Sequence, residues 1–309
     1  MKANLLFTHA LTPLHAGTGQ GVGVIDLPIA RETATGLPLV PGSTVKGVLR
    51  DRCRKNAATQ TLVAPIFGPD TANASDYAGS ARFSDQRLLL FPVRTLKGTF
   101  AWVTSPFILN RLVRDCKQVG VDDCPAVPRP ETEQSILATP DNVLTVTLTR
   151  QGKAKIVLED LDLEPTELDE VQEWATWIGK RIFTNDQAWK DILQEHLCLV
   201  HDDVLTFLLE TSTQITARIR LQEESKTVVD GGLWYEEALP AETVLYGLVA
   251  ATPVDATNLP VDDIFSTIQT LIAQMIQLGG SATVGRGMCQ LSMNEAEEEI
   301  AEETTNDNA

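Results

Sequence analysis

The sequence has no apolar stretch long enough to cross a bilayer. Its longest runs, such as Leu88–Val93, are broken by proline and fall far short of the roughly 20 residues that a helical span needs. The N-terminus, Met-Lys-Ala-Asn-Leu-Leu-Phe, lacks the longer apolar core and the small-residue cleavage site of a secretory signal. No membrane partner and a cytoplasmic location are therefore expected. The five cysteines (53, 116, 124, 198 and 289) are odd in number and nowhere form C-x-x-C, which argues against a disulfide framework. The four histidines (9, 15, 196 and 201) are scattered as well. That spacing argues against a Cys/His zinc site, while a carboxylate-held magnesium stays open. There is no G-x-x-x-x-G-K-[ST], and no G-x-G-x-x-G that follows a strand and opens a helix. Both absences weigh against a nucleotide-binding metabolic enzyme. No internal repeat of roughly 20–50 residues is visible, so a solenoid within one chain is disfavoured.

Basic charge is also short. Lys and Arg number 25 against 42 acidic residues, a net charge of −17. Nucleic-acid binders are usually basic, so this is the strongest objection to RNA as a partner. The distribution weakens it. Seven acids lie in the tail Asn294–Ala309 and seven more in Val157–Glu170, whereas residues 1–60 carry seven Lys or Arg against three acids. Local potential steers a ligand, and it can be positive on an acidic chain. The tail 295–309 reads as a solvated, disordered end.

The richest stretch is 15–50. Gly17, Gly19, Gly21 and Gly23 surround His15 and Asp26, ahead of a helix expected to open at Ser43. Glycine lets backbone pass close to a ligand and adopt positive φ. A helix start supplies free N–H groups suited to phosphate. Lys46, Arg50 and Arg54 recur every fourth residue and share one face, while Val45, Val48, Leu49 and Cys53 occupy the neighbouring face. The pattern points to a phosphate-rich ligand, with an ordinary solvated helix face as the alternative.

Residues 2–12 read as a strand and 43–56 as a helix. Ser105-Pro106 is a helix start, and Asp122–Asn142, with four prolines, reads as an ordered loop or insertion. Val171, Trp174, Ile178 and Ile182 have helical spacing, and their tryptophans read as core. Ile215, Ala217, Ile219 and Leu221 alternate with Thr216, Arg218, Arg220 and Gln222, which predicts a strand with both arginines on one face. With a turn at Asp230-Gly231-Gly232, residues 215–238 read as a projecting hairpin. Thr243–Ala250 reads as a buried strand. Ile264 to Leu278 marks a late helix closed by Gly279-Gly280. Strands and helices interleave without a doubly wound rhythm, so the fold class is α+β.

The stretches His15–Gly19, Gly23–Glu32, Thr35–Arg50, Leu88–Gly98, Leu233–Pro240 and Gly279–Gly287 occur, in this order, along most of the chain. As an ordered set they resemble the backbone subunits of type III-B CRISPR (Cmr) effector complexes, within the RAMP superfamily. The resemblance implies a ferredoxin-like (RRM-like) palm over residues 1–294 with helical insertions and the hairpin as thumb. It implies a guide RNA, a complementary single-stranded target RNA, further copies stacked head to tail, and other Cmr subunits as partners. It also implies a prokaryotic host and one target cut per copy.

By the same resemblance Asp26 is the catalytic residue, as proton acceptor or as ligand of a divalent metal, Mg²⁺ by expectation. A plain turn residue is the structural alternative for it. His15 is a second acid–base candidate, or a structural histidine. Glu236 and Glu237 are further candidates, or a solvated pair beside the turn. Candidate RNA contacts are Gly17, Gly19, Ser43, Lys46, Arg50, Arg218, Arg220, Gly279, Gly280, Thr283 and Arg286. A non-catalytic guide scaffold is the competing function, under which Asp26 would not matter.

Overall fold

Lys2–Ala10 (β1) is buried without a break from Leu5 to Ala10. A run covered on both faces belongs in the middle of a sheet. The computed structural model describes residues 1–19, 24–70, 77–148, 152–222, 224, 227–253 and 258–293. After β1 come β2 (Leu39–Val40), β3 (Ala81–Phe83), β4 (Gln86–Arg94), β5 (Phe100–Thr104) and β6 (Ser135–Ala138). Then follow β7 (Val146–Leu148), β8 (Lys153–Leu158), β9 (Leu161–Glu167), β10 (Leu197–Val200) and β11 (Gln214–Leu221). The last strands are β12 (Val228–Ala238), β13 (Val244–Ala251), β14 (Ile276–Gln277) and β15 (Met288–Met293). The helices are α1 (Gly42–Lys55), α2 (Val63–Phe67), α3 (Pro106–Gln118) and α4 (Asp169–Ile182), then α5 (Gln187–His196), α6 (Asp202–Thr211) and α7 (Val261–Ile272).

The main sheet runs β14-β15-β1-β13-β4-β5-β10-β6-β9-β8-β7. Within it β15, β1, β13 and β4 are neighbours, each antiparallel to the next. Helix α1 lies between β1 and β4 in the chain, and α7 between β13 and β15. This is the βαββαβ arrangement of a ferredoxin-like fold. Everything from β5 to β12 is inserted between its second and third strands. The insertion extends the sheet from β5 to β7, with α3 packed on β4, α4 on β1 and β15, and α5 on β5. The fold is α+β, as the interleaving predicts.

Local sequence explains most elements. Val45, Leu49 and Cys53 are the buried stripe of α1, and Val171, Trp174, Ile178 and Ile182 belong to that of α4. Trp102 is fully buried against Phe100, Phe183 and Trp189, and its indole N–H donates to Glu242 O at 2.7 Å. The proline-rich 122–142 stretch is tied to α4, where Trp174 donates to Ala126 O at 2.8 Å and Arg181 pairs with Asp123 at 2.9 Å.

Three local expectations need correction. Helix α1 starts at Gly42, one residue before Ser43, and its first N–H is held by Asp85 Oδ1 at 2.8 Å. The 215–238 hairpin does not turn at Asp230-Gly231-Gly232. Those residues run within β12, where Gly231 (φ +69°) faces a register shift between Ile219 and Leu221. Between the pairs Ile219–Leu233 and Leu221–Val228, β12 carries more residues than β11, a bulge that Gly231 sits in, and beyond it Gln222 N donates to Thr227 O at 2.9 Å. Helix α7 ends at Ile272, because Ile276 and Gln277 pair with β15 instead.

Candidate active site

Leaving β1, the chain pairs Leu14 with Leu239, just past β12, through two 2.9 Å backbone bonds. His15 is buried there, and its Nδ1–H donates to Glu237 O at 2.6 Å. The ring lies so close to Gly17 that a Cβ at 17 would stand 2.6 Å from Nε2. The second glycine-rich segment closes on the same residue. Gly280 N donates to His15 O at 2.8 Å, and a side chain at Gly279 (φ +76°) would collide with that carbonyl. Gly279 is therefore not a helix cap, since α7 ends at Ile272, but a point of close backbone contact. Gly279→Ala is expected to destabilise the fold by about 1–3 kcal/mol, read from denaturant midpoints.

The chain returns over 27–31 and zips onto β12. Leu27 N donates to Tyr235 O at 3.1 Å, and Glu237 N donates to Leu27 O at 3.0 Å. Asp26 stands at the open end of this ladder, exposed, with Oδ2 accepting from Tyr235 N at 2.7 Å. Its Oδ1 has no partner among the described residues. Asp26 and His15 thus attach to β12 two residues apart, about 7 Å along the strand.

Glu236 and Glu237 sit on β12 away from the turn, and each is only 3% exposed. They are not a solvated pair: protein donors hold both carboxylates. Glu236 accepts from Ser281 Oγ at 2.7 Å and from Arg218 Nε at 3.0 Å, with Arg286 at 4.0 Å. Glu237 accepts from Ile29 N at 3.1 Å and from Arg31 at 2.7 Å.

The cations expected to meet RNA divide into two sets. Arg50 is bound to Asp70 at 2.9 Å and to Pro69 O at 3.0 Å. Arg218 is bound to Glu236, and Arg286 is 7% exposed, with its NH2 on Thr216 Oγ1 at 3.1 Å. Each of the three has a protein partner, and the NH1 of Arg286 is buried with no hydrogen-bond partner among the described residues. Lys46 and Arg220 carry no ion pair among the described residues. Lys46 lines a cleft of about 520 Å³ with Gly42, Ser43, Tyr77 and Arg82. Gly17, Gly19, Ser43, Gly280 and Thr283 are exposed. Gly21 and Gly23 lie outside the described residues, as does the acidic tail. Arg31, Ser281 and Thr216 were given no role from sequence, since their partners are remote along the chain.

Burial alone would raise the Glu236 pKa, but hydrogen bonds from Ser281 and Arg218 and the charge of Arg286 outweigh it and hold it below 4.5. Glu32 behaves alike: burial raises it, and the two-pronged Arg111 bond (2.6 and 2.8 Å) together with Thr35 outweighs that and lowers it. A depressed carboxylate contributes stability that is complete above its unfolded pKa and is lost as pH falls through the folded one. Stability is expected to drop below about pH 4.5, and Glu32→Gln should flatten that drop in denaturation series at stepped pH.

A family model described as the RAMP superfamily matches residues 9–290. The chain belongs to that superfamily. It is 36% identical over 297 residues, 96% of this chain and 97% of the relative, to the "CRISPR system Cmr endoribonuclease Cmr4" of Pyrococcus furiosus. It is 24% identical over 300 residues to the "CRISPR system CMR subunit Cmr4" of Saccharolobus solfataricus, covering 92% of this chain and 94% of that one. Among solved structures, oligomeric Cmr4 from Pyrococcus furiosus superposes with a TM-score of 0.72 at 28% identity, covering 96% of this chain and 99% of that one. In this RAMP chain the glycine-rich segments, which look like separate motifs in sequence, converge on His15 and β12.

Proposed function

We propose that this chain is a backbone subunit of a type III-B CRISPR ribonucleoprotein, where it binds guide RNA and cleaves complementary single-stranded RNA. The observation that carries the reading is Asp26: an exposed carboxylate with one oxygen unengaged, fastened to β12, in a chain 36% identical to a Cmr endoribonuclease over 96% of its length. RNA carries its own nucleophile. The 2′-oxygen attacks the adjacent phosphorus, the bond to the 5′-oxygen breaks, and a 2′,3′-cyclic phosphate and a 5′-hydroxyl result. The protein must align these atoms, take the hydroxyl proton and see the leaving oxygen protonated.

Asp26 is the residue that takes that proton or holds a divalent metal beside the phosphate. A bound Mg²⁺ would neutralise charge on the phosphate, and such ions are commonly held by one or two carboxylates plus substrate oxygens. The residues fit that demand through Asp26 alone, since Glu236 and Glu237 are spent on other donors. A separate trio, Glu133, His201 and Asp203, stands at the N-terminus of α6, where the helix dipole opposes a cation. His15, with Nδ1 bound to Glu237 O, orients backbone rather than moving protons. Lys46 and Arg220 hold RNA phosphates.

Copies stack head to tail along the guide, each supplying one Asp26, so cuts fall at a regular interval. The host is prokaryotic and the complex cytoplasmic, and no helix among the described residues is long and apolar enough to cross a membrane. The test is cleavage of 5′-labelled complementary RNA by the reconstituted guide complex, wild type beside Asp26→Ala, with and without Mg²⁺. A ladder that disappears in the variant while target binding persists supports the reading. A wild-type complex that binds target tightly and cuts nothing would favour a scaffold.

A further inference from the structure

Asp26 is placed from one side. The ladder that fixes it, Leu27 against Tyr235 and Glu237, consists of a single parallel bridge with two backbone hydrogen bonds. So short a pairing specifies register weakly, and a slip by one residue turns every side chain to the opposite face. Such a slip would set Ile25 or Leu27 against Tyr235 N in place of Asp26. Farther along, Ala30 is paired by backbone bonds to Ala16 and Leu39 at 2.8 and 3.0 Å, and on the β12 side buried side-chain groups hold the register as well.

The groups that do so lie three and five residues on. Glu237, buried on β12, takes Ile29 N on Oε2 at 3.1 Å and Arg31 on Oε1 at 2.7 Å. Arg31 in turn donates to Leu209 O at the end of α6 at 3.1 Å and to Gly36 O at 3.0 Å. One guanidinium therefore ties β12, α6 and the 32–36 turn to the strand that ends in Asp26. The next residue, Glu32, is forked by Arg111 of α3, which anchors the same strand from a further element. A buried carboxylate demands its partner, because removing one member leaves an uncompensated charge. The pair thus penalises any register other than the one that puts Ile29 N and Arg31 on Glu237.

We infer that Arg31 is a positioning residue for RNA cleavage, acting through Glu237 to hold Asp26 in register on β12. The inference rests on Asp26 being the residue that acts in the cut. It assigns Glu237 a role in orientation rather than in proton transfer.

The experiment uses the reconstituted guide-loaded complex, with single-turnover cleavage rates normalised to assembled complex and target affinity measured alongside. Arg31→Met and Glu237→Gln are expected to slow cleavage roughly 10- to 100-fold, the order that a misplacement of about 1 Å costs. Target affinity and the positions of the cuts should be unchanged. Arg31→Lys restores the charge opposite Glu237 and should recover part of the rate. Amide exchange at Leu27 and Tyr235 should quicken in Arg31→Met. A purely structural role would reduce the yield of complex while each assembled particle cut at the wild-type rate, and that result would overturn the inference. If Arg31→Met does not assemble, Glu237→Gln decides, and a wild-type rate there overturns it equally. Asp26→Ala, run in parallel, keeps the two claims apart. If it cuts normally, the reading of Asp26 fails; if it is dead while both Arg31→Met and Glu237→Gln cut at full rate, only the positioning role fails.

Discussion

Asp26→Ala is expected to lower the cleavage rate of the assembled complex by about 100- to 10,000-fold, the span attributed to a well-placed acid–base group. Affinity for target should hold, because base pairing with the guide supplies it and Asp26 contributes no cation. Asp26→Asn sharpens the result. An asparagine oxygen can still accept from Tyr235 N, as Oδ2 does now at 2.7 Å, so the loop keeps its anchor. It can neither take a proton nor hold a divalent ion as a carboxylate does. Asn should therefore be nearly as inactive as Ala if the lost function is chemical, and far more active if Asp26 merely fastens the loop. Metal dependence then separates the two chemical roles. A wild-type rate that collapses in chelator and returns with Mg²⁺ assigns Asp26 to the ion, and a rate indifferent to chelator assigns it to the proton.

Much of the fold was legible in the sequence because its signals are local. The unbroken apolar run of β1 and the helical spacing of Val171, Trp174, Ile178 and Ile182 report burial by position alone, whereas the period of two at Ile215–Leu221 reports a strand whose apolar residues Ile215, Ile219 and Leu221 stay exposed. The strands β8 and β9 were hidden by their charge: seven acids in Val157–Glu170 mask the buried Ile156, Leu158 and Leu163. The turn at Gly231 was misread because one glycine with positive φ serves a bulge as well as a turn.

The candidate site was legible as a set of segments and not as a set of partners. Two adjacent glutamates usually lie in solvent, and nothing nearby in sequence says otherwise for Glu236 and Glu237. Their partners come from Arg31, 206 residues away, Ser281, 45 away, and Arg218, 18 away across the hairpin. The surroundings of Arg286 are illegible in the sequence for the same reason. A cation in a glycine-rich loop resembles a phosphate contact until the fold brings Glu236 and Thr216 against it. The sequence identifies cations; only the fold separates those already satisfied from those free to bind.

That separation makes the second large prediction. Lys46→Ala is expected to weaken guide binding and to flatten its salt dependence, lowering the log–log slope by about 0.7 for each copy on the RNA. A counterion is released for each phosphate that a free cation neutralises, and Lys46 is free among the described residues, beside a cleft at the start of α1. Under the proposed stacking every copy repeats the contact, so the loss is expected to multiply along the guide, and a long guide should suffer more than a short one. Arg50→Ala should change the slope less, since Asp70 at 2.9 Å already neutralises that charge. Arg286→Met should leave the slope alone while lowering stability, because its guanidinium faces Glu236 and not solvent. Filter binding over a salt series, run on all three variants with two guide lengths, reads each outcome. A slope that falls for Arg286 and not for Lys46 would reverse the assignment and move the guide to the 279–287 loop.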